Sequence, residues 1–129
     1  MKKYLNNKLS KNNLEKAFEN EALCHVKYKL WSDKAKNDGY AEISHWYGEA
    51  AENELNHAKM WFDEMGESGS INEMLQESAN DENHSAKMYL DFAAVAEDEG
   101  LDTLRDKFIN VSMVENNHKD KFSSLHNRF

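Results

Sequence analysis

The sequence predicts an all-α protein, a bundle of four helices made from two repeated helical hairpins. Three observations favour this fold. The 129-residue chain has no proline and five glycines, so long helices need not be interrupted. A shift of 61 positions superposes the sequence on itself without a gap. Each half contains the pattern Glu-x-x-His on an amphipathic stretch. We therefore expect a single domain over residues 1–129, with two similar halves related by a pseudo-two-fold axis.

The repeat pairs residues of the same chemical type. The pairs include Leu14 with Leu75, Glu21 with Glu82, Tyr28 with Tyr89, Trp31 with Phe92, Gly39 with Gly100, Tyr47 with Phe108, Glu54 with Glu115 and His57 with His118. Both halves keep the same spacing from the first Glu, through Tyr and Gly, to Glu-x-x-His. The repeated unit is therefore predicted to be a helix, a turn and a second helix.

The first two helices are predicted over about residues 12–37 and 40–65. Asn12 with Glu15 resembles a capping box, and apolar residues then recur at helical spacing. Residues before this signal are expected to form a polar lead-in. Gly39 is expected to end the first helix, because glycine tolerates the left-handed conformation of a helix stop.

Residues 66–73 are predicted to form the crossover between the halves. The stretch 66–70 has linker composition, but five residues cannot span a helix of roughly 35 Å. Either the crossover includes the residues that follow, or the third helix begins in a partner molecule. The third and fourth helices are expected over about residues 73–98 and 101–124, with Gly100 between them.

Composition limits the function classes. The net charge of −8 argues against nucleic acid or an anionic membrane as a partner. No apolar run has the length of a signal peptide core or a membrane span. The single cysteine, Cys24, excludes an internal disulfide and a four-cysteine metal site. A cytoplasmic location is the default expectation.

The two Glu-x-x-His patterns predict a metal centre. Residues three apart share a helix face, so each pattern can present a carboxylate and an imidazole to one ion. A di-metal carboxylate bundle needs one more glutamate from each remaining helix. Burying an ionised carboxylate without a partner costs free energy. Glutamates in phase with the apolar residues therefore favour metal binding over a purely incidental placement. The predicted ligands are Glu21, Glu54, His57, Glu82, Glu115 and His118. Such a set suits iron or manganese, and zinc is a further option.

Some assignments stay open. The alternative to a metal site is that each Glu-x-x-His lies on a solvated helix face. Asp81 with His84 also has ligand spacing and competes with the glutamate beside it. His25 is four residues after a predicted ligand and could reach the edge of the site. Tyr28 and Tyr89 either hydrogen-bond to ligand carboxylates or simply pack in the core.

Four stretches resemble, in order, the four helices of the rubrerythrin family. They are NLEKAFENEALCHVKY, AENELNHAKMW, LQESANDENHSAKMYLDFAAVAEDEG and VENNHKDKF, and the resemblance covers about residues 12–123. It implies a ferritin-like four-helix bundle with two iron ions, reduction of hydrogen peroxide, and homodimers that can exchange helices. By the same resemblance, Glu54 and Glu115 take the places of the bridging carboxylates.

Two departures from the family bear on the chemistry. The family carries a further glutamate where this chain has Ser85, and its third helix has one more residue before Tyr89, which resembles a π-bulge. Without these features the site looks closer to a ferritin oxidation centre, so iron oxidation by dioxygen is the alternative function. A non-enzymatic metal-binding bundle is the third. The chain also lacks the family's cysteine-rich rubredoxin domain, which implies an external electron donor such as a rubredoxin.

Overall fold

The computed structural model of the chain describes Tyr4, residues 6–66 and residues 69–129. This part contains four helices, α1 (Lys8–Asn37), α2 (Ala41–Met65), α3 (Ile71–Asp98) and α4 (Asp102–His126), and none of these described residues forms a β-strand. The predicted all-α class is confirmed. No described helix combines the length and apolar composition needed to cross a bilayer.

The chain divides into two compact units, Met1–Ser68 and Gly69–Phe129. In the first, α1 packs against α2, and in the second, α3 packs against α4. We call these units hairpin 1 and hairpin 2. The helix–turn–helix unit predicted from the repeat is therefore present twice.

The start of α1 differs from the prediction. The helix begins at Lys8, so the Asn12 and Glu15 signal lies inside it and the expected polar lead-in is already helical from this residue. Lys11 N–H donates to the Asn7 carbonyl oxygen at 2.9 Å. Nothing between these residues breaks a helix, since proline and glycine are both absent there, and a polar solvent-facing turn can extend a helix without an apolar stripe.

The turns within the two hairpins are built alike. In hairpin 1, Gly39 has φ +88°, and Tyr40 N–H donates to the Ala35 carbonyl oxygen at 2.8 Å. In hairpin 2, Gly100 has φ +74°, and the corresponding bond reaches back five residues with the same length. This is a Schellman turn, in which a left-handed glycine lets the chain satisfy the last carbonyls of the helix. Both predicted helix ends are confirmed.

The connection between α2 and α3 is shorter than the predicted crossover 66–73. The α3 helix begins at Ile71, and the Ser70 hydroxyl accepts a hydrogen bond from Glu73 N–H at 3.1 Å. That N-cap fixes the start of α3, so the last three residues of the predicted crossover are helical. Residues 67 and 68 of this prediction lie outside the described part of the chain.

Small residues fill the interface within each hairpin. The buried alanines are Ala35, Ala51 and Ala58 in hairpin 1, and Ala79, Ala86, Ala93 and Ala96 in hairpin 2. Alanine lets two helix backbones approach closely, so larger side chains are displaced to the flanks. Ile43 on α2 and Leu104 on α4, both of which fall at apolar positions of the helical pattern, are accordingly 50 % and 41 % exposed.

Each hairpin has a side-chain hydrogen bond between its two helices at the same position of the repeat. The donor lies on the first helix in hairpin 1 and on the second helix in hairpin 2. In hairpin 1, His25 Nδ1 lies 2.7 Å from the Ala51 carbonyl oxygen, so this nitrogen carries the proton. In hairpin 2, Ser112 Oγ donates to the Ala86 carbonyl oxygen at 2.8 Å. Residues 25 and 86 are repeat partners, as are 51 and 112, so each hairpin links its helices at the same level.

Candidate metal centre

Hairpin 1 brings three predicted ligands together between its helices. Glu21 comes from α1, and Glu54 and His57 come from one face of α2. One ligand atom from each lies within 4.8 Å of the others. His57 Nδ1 is 3.5 Å from Glu21 Oε2 and 3.5 Å from Glu54 Oε1. Two carboxylates and one imidazole therefore converge on one point, the geometry that a divalent cation requires.

Hairpin 2 repeats this triad. Glu82 on α3 meets Glu115 and His118 on α4, again with ligand atoms within 4.8 Å of one another. His118 Nδ1 is 3.5 Å from Glu82 Oε1 and 3.7 Å from Glu115 Oε2. The repeat that pairs the two sequences therefore also pairs their side-chain geometry.

The burial of the carboxylates supports a cation at each triad. The side chains of Glu21 and Glu82 are only 17 % and 22 % exposed. In the described part of the chain, the Oε2 atom of each is buried without a hydrogen-bond partner. A buried carboxylate oxygen without a partner costs free energy. A divalent cation bound to the triad would remove that cost, so these residues fit a metal.

The pKa of the Glu54 carboxyl group is raised. The largest cause is a hydrogen bond to Glu21, followed by burial and by the negative charge of Glu21, while His57 acts in the opposite direction. Two carboxylates held this close share a proton when no cation is present, because they cannot both stay ionised at low cost. A bound metal would take the place of that proton.

The competing candidates lie outside the triads. Asp81 and His84 are both exposed, and the α3 residue that lies with Glu115 and His118 is Glu82. His25 uses its Nδ1 in the bond across hairpin 1, which assigns it a structural role. Metal ligation by the six convergent residues stays a prediction.

Tyr28 and Tyr89 lie two helical turns beyond the glutamates of their triads. The pKa of the Tyr28 phenol is raised, first by the Cys24 side chain, then by partial burial, with a further contribution from the Glu54 carboxylate. Tyr28 is therefore within electrostatic reach of a predicted ligand. The ring centroids of Tyr89 and Phe108 are 6.0 Å apart in a stacked arrangement. The expected role of both tyrosines, orienting a ligand carboxylate, remains a prediction.

Sequence reasoning paired Tyr47 with Phe108 and Trp31 with Phe92 in the repeat but assigned no functional role to Tyr47 or Trp31. In hairpin 1 both rings pack against Tyr28. A signal for this group was available. Tyr47 precedes Glu54 by seven residues, just as Tyr28 follows Glu21 by seven, so both tyrosines fall at the same level beside the triad.

Comparison with known proteins agrees with the geometry. The sequence model of the rubrerythrin family matches residues 12–73. Rubrerythrin-1 of Clostridium acetobutylicum is 32 % identical over 131 aligned residues, which cover 88 % of this chain and 67 % of that protein. Rubrerythrin of Clostridium perfringens is 30 % identical, with the same two coverages. Rubrerythrin of Nitratidesulfovibrio vulgaris is 25 % identical over 93 % of this chain and 70 % of its own length. The repeated Glu, Glu and His triads and this similarity over most of the chain together show that the chain belongs to the rubrerythrin family and has a ferritin-like, all-α four-helix fold.

Proposed function

We propose that this protein is a non-haem di-iron oxidoreductase that reduces hydrogen peroxide with electrons from an external donor. The observation that carries the proposal is the pair of triads, each with a buried carboxylate oxygen that accepts no hydrogen bond from the described residues. Membership of the rubrerythrin family supports iron as the metal. Mixed carboxylate and imidazole ligands also suit manganese or zinc, so the metal itself needs measurement.

The residues of the two triads would hold the ions. Glu21, Glu54 and His57 would hold one ion, and Glu82, Glu115 and His118 would hold a second. Iron bound there supplies the electrons that break the oxygen–oxygen bond of peroxide.

The chain's own contribution is charge and position. The carboxylates stabilise cations in a partly buried site, where electrostatic interactions are stronger than in water. The imidazoles of His57 and His118 are 50 % and 54 % exposed in the chain. Tyr28 and Tyr89 would orient the carboxylates two turns away, and a rubredoxin-type protein would serve as the electron donor.

Oxidation of ferrous iron by dioxygen is the second candidate function. Ser85 stands where the family has a further glutamate, and α3 is continuous α-helix over Ile71–Asp98, with no π turn among these residues. A π-bulge is often found at functional sites, and this helix lacks that irregularity. The observation favours two symmetric triads with fixed ligands.

Rapid mixing distinguishes the two reactions. We expect the iron-loaded, reduced protein to be oxidised much faster by hydrogen peroxide than by dioxygen, and to turn over repeatedly with a reduced rubredoxin. Faster oxidation by dioxygen, without a donor cycle, would establish the ferritin-like reaction instead. Absence of any turnover with bound iron would leave a non-enzymatic metal-binding bundle.

Metal content tests the ligands directly. We expect two iron ions per chain after anaerobic reconstitution. His57→Gln and His118→Gln should each lower the content toward one ion, because each removes the imidazole of one triad. His84→Gln is the matched control, since His84 is exposed on α3, and should leave the content unchanged. Equal metal content in all three variants would contradict the assignment.

We also propose a homodimer in which two chains exchange hairpins. The connection between α2 and α3 has five residues, 66–70, which reach about 18 Å when extended. The 25-residue α2 helix is about 37 Å long. A crossover along a bundle of this length exceeds the reach of the connection, so a second chain would supply the partner hairpin. Light scattering on the purified protein would test this, and a monomer at micromolar concentration would contradict it.

A cytoplasmic location is proposed as well. Its support is the single cysteine, Cys24, which is free, since extracellular domains of this size more often carry disulfides. Fractionation of cells that express the protein tests the location.

A further inference from the structure

Hairpin 1 contains a closed group of three aromatic rings beside its triad. The ring centroids of Tyr28 and Trp31 are 6.0 Å apart, those of Tyr28 and Tyr47 are 5.8 Å apart, and those of Trp31 and Tyr47 are 5.7 Å apart. Each ring therefore contacts both of the others.

Hairpin 2 has three rings at the corresponding positions, with similar centroid distances and different chemistry. Tyr89, Phe92 and Phe108 form the corresponding group, with centroids 5.6 to 6.0 Å apart. Tyrosine and tryptophan lose an electron far more readily than phenylalanine does, so the two groups pack alike but differ in redox chemistry.

Three pairs of repeat partners in and beside these rings differ in the same direction. They are Cys24 with Ser85, Trp31 with Phe92, and Tyr47 with Phe108. In each pair, hairpin 1 has an oxidisable side chain and hairpin 2 has an inert one of similar shape. Packing does not require this choice, because the ring distances are almost the same in both hairpins.

The oxidisable residues form a line along α1 from the triad. Glu21, Cys24, Tyr28 and Trp31 follow one another at spacings of three, four and three, so they lie on one face of the helix. Glu21 and Tyr28 are separated by about 10 Å along the helix axis. Tyr28 is half-buried, and its phenol is within electrostatic reach of the triad.

The far end of the line reaches the surface. Trp31 is 43 % exposed, and the Lys27 ammonium nitrogen lies 5.1 Å from the centroid of its ring. A cation over the indole opposes the positive charge that develops when Trp31 loses an electron. The cation therefore raises the reduction potential of an oxidised Trp31, which favours transfer of an electron to it from Tyr28.

We propose that Cys24, Tyr28, Trp31 and Tyr47 carry single electrons between the surface at Trp31 and the triad of hairpin 1, and that hairpin 2 has no equivalent route. In the direction that rests on the proposed function, a one-electron donor protein would lose one electron at Trp31, and Trp31 and Tyr28 would pass it to iron held by the Glu21, Glu54 and His57 triad. In the reverse direction, a one-electron oxidant takes an electron from Trp31. Trp31 regains one from Tyr28, and the phenol proton passes to solvent.

Flash photolysis of the full-length, zinc-loaded protein tests the route. Zinc is redox-inert, so the result does not depend on iron or peroxide chemistry. A photogenerated ruthenium(III) polypyridine complex serves as the oxidant. Trp46→Phe and Trp61→Phe make Trp31 the sole tryptophan of the three in the chain. We expect an indole radical that decays as a tyrosyl radical appears, followed by transient absorption and electron paramagnetic resonance.

Matched variants identify the partner. Tyr28→Phe with Tyr47→Phe should prolong the indole radical and abolish the tyrosyl signal that grows from it. Tyr89→Phe should change neither. An unchanged conversion without Tyr28 and Tyr47, or its loss in Tyr89→Phe, would overturn the proposal.

A second test exchanges three side chains between the hairpins. Each position then receives the residue of its own repeat partner. Cys24→Ser, Trp31→Phe and Tyr47→Phe together should abolish the conversion. Adding Ser85→Cys, Phe92→Trp and Phe108→Tyr to that chain should restore it, now ending on Tyr89. Failure to restore it in a folded protein would show that the side-chain set does not define the route.

The lifetime of the tyrosyl radical tests whether electrons pass between Tyr28 and metal held by the triad of hairpin 1. With ferrous iron in place of zinc, the tyrosyl radical should be reduced by iron and its lifetime should shorten. Cys24→Ser should weaken that shortening. A lifetime that is equal with zinc and with bound iron would overturn the link. Failure of iron to bind would instead count against the proposed function, because the zinc experiment has already decided the route between Trp31 and Tyr28.

Discussion

At the scale of single residues, the contact between Glu21 and Glu54 sets the behaviour of hairpin 1. These carboxylates come from different helices and converge in one triad, and hydrogen bonding to Glu21 is the first cause of the raised pKa of Glu54. His57 opposes the shift but is half-exposed, so water competes with it for both charges. Without metal, the folded protein therefore keeps the Glu54 proton to a higher pH than the unfolded chain does.

The raised pKa of Glu54 predicts how the stability of the metal-free protein depends on pH. The folded state keeps its proton at higher pH than the unfolded state does. Burial of this carboxyl group therefore costs no stability below its unfolded pKa of about 4.3. The free energy of unfolding then decreases as pH rises from that value through the folded pKa. The unfolding temperature of wild-type apoprotein should fall over that window. Glu54→Gln should reduce this fall, because the amide is neutral and can donate to Glu21.

The control for this experiment is Glu52→Gln, an exposed position on the same helix. It should leave the slope of stability against pH close to wild type. Thermal unfolding followed by circular dichroism across the acidic range is the measurement. Equal slopes for wild type and Glu54→Gln would show that the carboxylates of Glu21 and Glu54 do not share a proton.

At the scale of elements, each hairpin depends on a left-handed glycine and a narrow interface of alanines. The turn bonds reach back five residues along the chain, so their formation needs only local sequence. The interface instead needs small side chains on two helices to face each other. In hairpin 1 it is reinforced by Ser32 and Ser44, each of which donates its hydroxyl hydrogen to the other's carbonyl oxygen, at 2.7 and 2.8 Å.

Two glycine substitutions should have opposite effects on stability. Gly39→Ala forces a side chain into φ +88° and should destabilise the protein by about 1 kcal/mol. Gly48 lies inside α2, and a Cβ there would meet Ser32 Oγ at an ordinary 3.5 Å. Gly48→Ala should therefore be neutral or should stabilise by about 0.5–1 kcal/mol, through the helix propensity of alanine. Urea titration measures both, and a stabilising Gly39→Ala would contradict the turn geometry.

The paired serines should be coupled. Ser32→Ala and Ser44→Ala each remove one of two reciprocal hydrogen bonds, so each should cost about 0.5–1.5 kcal/mol. The double variant should cost less than the sum, because the two hydroxyl oxygens also lie 3.2 Å apart and either single variant already loses that shared contact. A double-mutant cycle in urea gives the coupling free energy. Strict additivity would show that the two bonds form independently.

At the scale of the whole molecule, folding and metal binding should be linked. Buried carboxylates in both triads oppose folding when no cation is present, and cations that bind only the folded chain stabilise it. At a free metal concentration a hundred times the dissociation constant, the gain is about 2.7 kcal/mol per site. We therefore expect bound metal to supply part of the free energy of unfolding.

Chelation should lower the unfolding temperature of the wild-type protein. Glu21→Gln with Glu82→Gln should remove most of this dependence, because each replaces the carboxylate whose buried oxygen lacks a partner. The matched control is Glu19→Gln with Glu77→Gln, two exposed glutamates on the same helices, which should keep the full dependence. An unfolding temperature that does not respond to chelation in the wild type would mean that the triads bind no metal.

The amino-acid sequence by itself determined the four helices, the glycine turns and the chemical identity of the candidate ligands. These features depend on contacts within a few residues, or on a repeat that can be read directly. For Glu54, His57, Glu115 and His118, the spacing alone places each pair on one helix face.

Only the tertiary structure decided the relations between helices. It placed Glu82, in preference to Asp81, with Glu115 and His118. It also brought Glu21 close enough to Glu54 to share a proton, and assembled Tyr28 and its neighbours into a group. Such relations depend on the register at which two helices pack, which here is set by buried alanines, and an apolar periodicity does not specify that register.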